Sequence, residues 1–191
     1  MTNLPSLTKM FLLASTLFVL ASCKAPMKLS SSSNNDNSLT KMPDEEAIKK
    51  AVDETYRVIC FKQGETLNYD NIQNCFIPQA QLINYRSGKL EIVSLSQFID
   101  DYKSAVTSGV VKSFYEEEIY GRTDQFGSIA QRISSYKTYM NNMDTVIERG
   151  VNSFQLVKTP NGWKVSSIVW DVEKAGRAIP TYYLNGTVHN K

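Results

Sequence analysis

Residues 148 to 173, ERGVNSFQLVKTPNGWKVSSIVWDVE, restrict what this chain can fold into more than any other stretch. Two runs rich in β-branched and aromatic residues flank Thr159-Pro160-Asn161-Gly162, and Asn-Gly between such runs marks a β-hairpin. Side chains alternate along a strand. A loop of two or four residues therefore puts Asn152, Phe154, Leu156, Trp163, Val165 and Val169 on one face. The other face carries Val151, Ser153, Gln155, Val157, Ile168, Trp170 and Val172, a mixture too apolar for plain solvent. Such a sheet calls for helices on one side and a partner on the other.

The segments before the hairpin supply the helices. Pro43-Asp44-Glu45-Glu46 opens one, because proline suits the first helical position and acids suit the positive end of the dipole. Ile48, Ala51, Val52, Thr55, Val58 and Ile59 share its apolar face, and Gly64 closes it. A short helix is expected from Tyr69 to Cys75, then a short strand from Gln79 to Tyr85. Ser94-Leu-Ser-Gln97 has the form of a capping box and starts a third helix, with Leu95, Phe98, Ile99, Tyr102 and Val106 on one stripe, ended by Gly109. After Gly109 the period changes to two. Ser113 to Asp124, Ser128 to Met140, Glu148 to Lys158 and Trp163 to Glu173 read as four long antiparallel strands. Helices first and strands after them give an α+β class, with the helices packed in the concave face of a curved antiparallel sheet.

The first residues are an address. Lys9 precedes the apolar run Met10 to Leu20, too short for a bilayer span of about 20 residues, and small residues follow it. Leu20-Ala21-Ser22-Cys23 resembles the bacterial lipobox, in which Cys23 is acylated and becomes the new N-terminus. Two or three acyl chains give stable anchoring to a membrane. Residues 1–22 are thus expected as a signal peptide and 23–42, with the tract Ser30 to Ser38, as a lipidated cysteine and flexible tether. Residues 43–173 form the domain and 174–191 a tail. The expected location is the bacterial cell envelope, on its periplasmic or surface face.

The net charge of +2 is scattered among acids, which excludes the electrostatic footprint of a nucleic-acid binder. The single histidine, His189, leaves almost nothing from which to build a histidine metal site or a nucleophilic triad. No metal and no cofactor are expected.

Three helices followed by long strands ending in a W-x-V strand resemble the cone-shaped nuclear transport factor 2-like fold, most of all its SnoaL-like bacterial branch. Phe76-Ile-Pro-Gln-Ala80, Phe126-Gly-Ser-Ile-Ala130, Ser135-Tyr136, Arg149-Gly150, Asn152-Ser153, Gln155-Leu156, Gly162-Trp163 and Trp170 carry the likeness, from Pro43 to Glu173. The resemblance implies a pocket at the open end of the cone. It leaves open whether the pocket only binds or also reacts, since such cones serve isomerases, cyclases, dehydratases and plain binding proteins.

Asn152 and Asp171 are the sharpest candidate pair, opposite each other in a two-residue-loop register. An acid on an apolar wall can act as a general base, as in ketosteroid isomerases of this fold, or it can be a strand-end carboxylate reaching solvent. Glu116, Glu118, Tyr120, Arg132 and Tyr136 come onto one face if the loop at Gln125-Phe126-Gly127 has three residues. They read as a polar floor or as a solvated ion-pair ladder, with Glu118 and Tyr136 the members to expect in a pocket. Tyr56, Tyr85 and Tyr102 are candidate wall hydroxyls. Trp163 suits the core, and Trp170 suits a homodimer interface on the convex face. Cys60 and Cys75 are either a disulfide or two buried thiols. The leading expectation is a non-catalytic binding or accessory domain for an apolar or aromatic small molecule. The alternatives are a cofactor-independent enzyme using Asp171 or Glu118, and a purely structural domain.

Overall fold

Asp44 holds two hairpin tips at once. Its carboxylate accepts from Lys158 Nζ at 2.8 Å and from Gln125 Nε2 at 3.0 Å, so the start of the first helix is fixed against distant strands rather than capped by its own side chain. In the computed structural model the described residues are 44–186. Cys23, expected to be acylated, the segments expected as signal peptide and tether, Pro43 and His189 lie outside them.

Helix α1 (Glu45–Ile59) buries Ile48, Val52, Thr55, Tyr56 and Val58. Helix α2 (Tyr69–Asn74) is capped by Asn68, whose side chain accepts from the Asp70 N–H. Helix α3 (Leu95–Thr107) starts at Ser94, which accepts from the Gln97 N–H at 3.2 Å. The Gln97 amide does not complete the capping box but donates to Asp101.

Six strands form one curved sheet in the order β2-β1-β6-β5-β4-β3. They are β1 (Phe76–Asn84), β2 (Glu91–Ser94), β3 (Phe114–Phe126), β4 (Ile129–Met140), β5 (Glu148–Thr159) and β6 (Gly162–Val172). All neighbours are antiparallel except β1 and β6, which run parallel. The sequence reading of an all-antiparallel sheet is corrected there. It missed β2, a four-residue strand with almost no apolar pattern, and began β1 three residues late because Pro78 reads as a break.

Two β-bulges decide which side chains face the helices. The β5–β6 hairpin turns at Pro160-Asn161, with Thr159 opposite Gly162, and the alternation holds as far as Leu156 opposite Val165. Ser166 is then an extra residue, its hydroxyl donating to the Gln155 carbonyl at 3.0 Å. Beyond it every side chain changes face. Ile168 and Trp170 turn inward, while Val169 and Asp171 turn outward. The expected placement of Val169 on the core face and of Ile168 and Trp170 on the outer face is therefore corrected. Asn152 lies opposite Trp170, not Asp171.

A second bulge sits at Ile119 in β3. The β3–β4 turn is two residues, Gly127-Ser128, rather than three, and Tyr120 lies opposite Ser135. Across Ile119 the register shifts, so Glu118 faces Tyr136 and Glu116 faces Thr138. Glu116, Glu118, Arg132 and Tyr136 thus share the inner face after all, and Tyr120 leaves it.

Residues after β6 cross to the outer face. Ser135 donates to the Tyr183 carbonyl at 2.5 Å from the side opposite α1, and helix α4 (Tyr182–Asn185) lies there beside Tyr120. Asp171 accepts from Arg177 at 2.7 Å, and Ile179 is buried. The core lies between α1, α2, α3 and the inner face, centred on Ile48, Val52, Ile72, Phe154, Leu156 and Val165.

Candidate functional site

The inner face of the sheet does not close fully on the helices. A cavity of about 250 Å³ remains between α1, α3 and strands β3 to β6. Phe98 and Tyr102 from α3, Phe114 from β3, Phe154 from β5 and Ile168 and Trp170 from β6 are among its wall. Few polar groups interrupt that surface, the usual composition of a small-molecule site.

Glu116 is one of them. The alternation of β3 sends it inward, the accessible part of its surface faces the cavity, and its Oε2 accepts from Thr138 Oγ1 at 2.7 Å. Burial, reinforced by the charge of Glu148, pushes its pKa up to about 7, against the stabilising hydroxyl of Thr138 and the distant charge of Arg86. Glu148, at the start of β5, accepts from Tyr136 Oη at 3.0 Å and from Arg86 Nε at 2.5 Å. Arg86 stands at the mouth with its side chain 58% exposed. Gly150 makes room for the Tyr136 ring, since a Cβ there would sit 2.5 Å from Oη.

Beside the cavity runs a hydrogen-bonded chain of fixed polarity. Arg132 grips Glu118 with two N–H groups, at 2.9 and 2.5 Å, and gives a third to Thr123 at 2.6 Å. Ser134 spends its one proton on Glu118 at 2.7 Å, so Tyr56 donates to Ser134 at 2.8 Å and accepts from Asn152 Nδ2 at 2.9 Å. Tyr56 is held neutral, its pKa raised chiefly by burial. Gly121 lets the guanidinium lie flat on β3, where a Cβ would meet Arg132 and Glu118.

Comparison with known proteins places this geometry. No family model matches the chain, and no curated protein matches it. Solved structures do. One is a protein with a cystatin-like fold from Nostoc punctiforme, 9% identical, covering 69% of this chain and 92% of its own, with a TM-score of 0.55. Another is a nuclear transport factor 2-like protein from Streptomyces avermitilis for which dehydratase activity has been suggested, 12% identical, covering 69% and 96%, at 0.54. A third, from Pseudomonas putida and also nuclear transport factor 2-like, is 8% identical and covers 66% and 84%, at 0.52. The chain has the nuclear transport factor 2-like fold.

Within that nuclear transport factor 2-like cone the sequence candidates are dispersed. Asn152, Tyr136 and Tyr56 line the cavity, and Glu118 sits two hydrogen bonds behind it, through Ser134 to Tyr56. Asp171 is on the outer face. Burial nudges its pKa up, but the Val172 N–H and the charges of Arg177 and Lys174 hold it below the usual carboxylate range. Trp170, expected at an interface, lines the cavity, as does Tyr102, which donates to the Ile59 carbonyl at 2.6 Å; Tyr85 is exposed. Cys60 and Cys75 are free thiols, not a disulfide. Each donates to the carbonyl one helical turn earlier, Tyr56 and Asn71 respectively, and each lies against a different part of the fold. Sequence reasoning passed over Glu116 in favour of Glu118 and missed Thr138, Glu148 and Arg86. A signal was present: two acids alternate along β3, and the facing strand offers one arginine. Among the described residues no group of His, Cys, Asp or Glu side chains converges as a metal site.

Proposed function

We propose that this is a lipid-anchored protein of the bacterial cell envelope, acylated on Cys23, whose nuclear transport factor 2-like domain holds a small, largely apolar or aromatic molecule without transforming it. The observation that carries the binding reading is the aromatic-walled cavity of about 250 Å³ with the carboxyl of Glu116 in its wall, apart from the Glu148–Arg86 pair at the mouth. A purely structural cone would be filled by its own side chains. The anchor rests on the sequence Leu20-Ala21-Ser22-Cys23, and the Ser/Asn tract supplies the reach. A homodimer through the outer face, where Val169 is exposed, belongs to the same proposal.

A panel of small aromatic and aliphatic molecules tests the binding reading by thermal shift. Members of a size suited to the cavity should raise the Tm of the chain, and W170A should abolish the shift. No shift with any member would sink the reading. Globomycin-sensitive processing and incorporation of labelled palmitate, lost in C23A, test the anchor.

One observation favours a second reading, cofactor-independent proton transfer. A carboxyl whose pKa is pushed up to about 7 in an apolar cavity can take and return a proton near neutral pH. Bound carbonyl compounds incubated in deuterated water distinguish the two. Exchange at the α-carbon by the wild type and none by E116Q would establish catalysis; exchange by neither keeps the protein a binder.

A further inference from the structure

The cavity holds more carboxylate than its own cations neutralise. Glu116 and Glu148 both line it, with Arg86 the one basic side chain among the described lining residues. Arg86 is committed to Glu148 at the mouth. Glu116 receives one hydroxyl, from Thr138 on Oε2, and among the described residues no donor is placed on Oε1. That oxygen is not among the sealed, partnerless atoms of the interior, so it opens to the cavity. Tyr102, Phe114, Tyr136 and Trp170 line the same cavity with aromatic rings.

A carboxylate ligand would set a second negative charge beside Glu116, and a neutral ligand would offer its ionised form no counter-charge. A cation supplies what is missing, and aromatic rings attract it further through their negative faces. We propose that the cavity takes an organic ammonium ion, its charged end on the free oxygen of Glu116 and its apolar body against the aromatic wall. The proposal rests on the reading that the cavity binds a small molecule and narrows the class of that molecule.

The other ionisable groups around Glu116 come from every neighbouring element: Tyr56 from α1 and Cys60 just after it, Tyr102 from α3, Glu118 on its own strand, Tyr136 from β4, Glu148 from β5 and Arg86 from the turn after β1. Burial raises the pKa of the tyrosines and the thiol, so they stay neutral through the pH range that matters. A cation binds the ionised form of Glu116, whose fraction grows as pH rises through about 7. The apparent affinity therefore scales with that fraction.

The experiment titrates the full chain with benzyltrimethylammonium, benzylamine, benzyl alcohol and phenylacetate at pH 5.5 and pH 8. Both cations should bind at least about tenfold tighter than the alcohol and the carboxylate, and benzyltrimethylammonium should gain about tenfold or more between the two pH values. E116Q, which keeps the hydrogen bond to Thr138, should bind the cations about tenfold or more weakly and without pH dependence. The pH arm reads the same group in the unaltered chain, so the proposal stays exposed even if E116Q does not fold. Alcohol or phenylacetate binding as tightly as the cations, or cation binding flat with pH, overturns the ammonium proposal and leaves the binding reading standing. Binding of none of the four overturns the ammonium proposal, and the wider panel then decides the binding reading.

Discussion

Glu116 and Glu118 leave β3 on the same face, two residues apart, yet Arg132 closes on Glu118 alone. One acid is thereby turned into a fixed structural anion. The other keeps an open oxygen and a displaced pKa. The difference arises on β4, where Arg132 lies beside Thr123 and Gly121 and cannot also reach the Thr138 end of the strand pair.

Removing Arg132 should be more damaging than removing the pair. The two side chains are 5% and 11% exposed, so R132M leaves a buried carboxylate with the Ser134 hydroxyl as its remaining donor. A loss of about 3–5 kcal/mol is expected for R132M, and a much smaller one for R132M/E118M. Urea denaturation of both singles and the double gives the cycle. Additive losses would show that the two side chains do not act as a unit.

Glu116 should make the fold less stable as pH rises. Its pKa goes from the ordinary 4.5 to about 7 on folding, so the folded state binds the proton more tightly than the unfolded chain between those values. Its contribution is complete below pH 4.5 and is lost as pH rises through 7, a change of roughly 3 kcal/mol. Denaturation midpoints of the wild type should fall between pH 5 and pH 8 relative to those of E116Q. Parallel curves for the two would place the titration elsewhere.

G150A tests the close approach that seats Tyr136. The added methyl would lie 2.5 Å from Tyr136 Oη and 2.7 Å from the backbone carbonyl of Asp171. The ring can swing away, but the carbonyl belongs to the neighbouring strand and cannot. Overpacking of this kind costs about 1–3 kcal/mol. A lower Tm is expected, together with loss of the Tyr136–Glu148 hydrogen bond. An unchanged Tm would mean that β5 and β6 can part locally at no cost.

Cys60 and Cys75 should behave as shielded thiols. Burial raises both pKa values, and Cys60 also accepts the Glu116 N–H at 3.3 Å. Iodoacetamide at pH 8 should modify them about tenfold or more slowly in the native protein than in urea, with no reduction step required. A non-reduced digest yielding the two peptides joined would contradict this.

Much of the architecture was legible because it is written in periodicity. The 3.6-residue stripe of Ile48, Val52 and Tyr56 and the alternation of Phe154 and Leu156 specify which faces meet, and Asn161-Gly162 specifies the hairpin to within one residue. What escaped was phase. Ser166 and Ile119 carry no mark of being bulged, because a bulge is a compromise between the twists of neighbouring strands, and those are properties of the sheet. One slipped phase moved Asp171 and Trp170 to the wrong sides; the other, together with a shorter turn, largely cancelled itself and brought Glu116 and Glu118 inward. Arg86 escaped for a different reason. It lies in a turn whose role depends on Glu148, sixty-two positions away in sequence (148 − 86 = 62), and no local pattern links them.

The extra serine in β6 makes the lining of this pocket a matter of pairing phase as much as of residue choice. If Ser166 were kept but drawn into the ladder as an ordinary paired residue, the last part of the ribbon would turn over, withdrawing an indole and presenting an acid in its stead, while the turn at Asn161 kept its place. Excising it would only straighten the strand and leave the same side chains inside, so in a cone of this kind a greasy wall gives way to an ionisable one through a slip of the ladder, with no side chain of the pocket replaced.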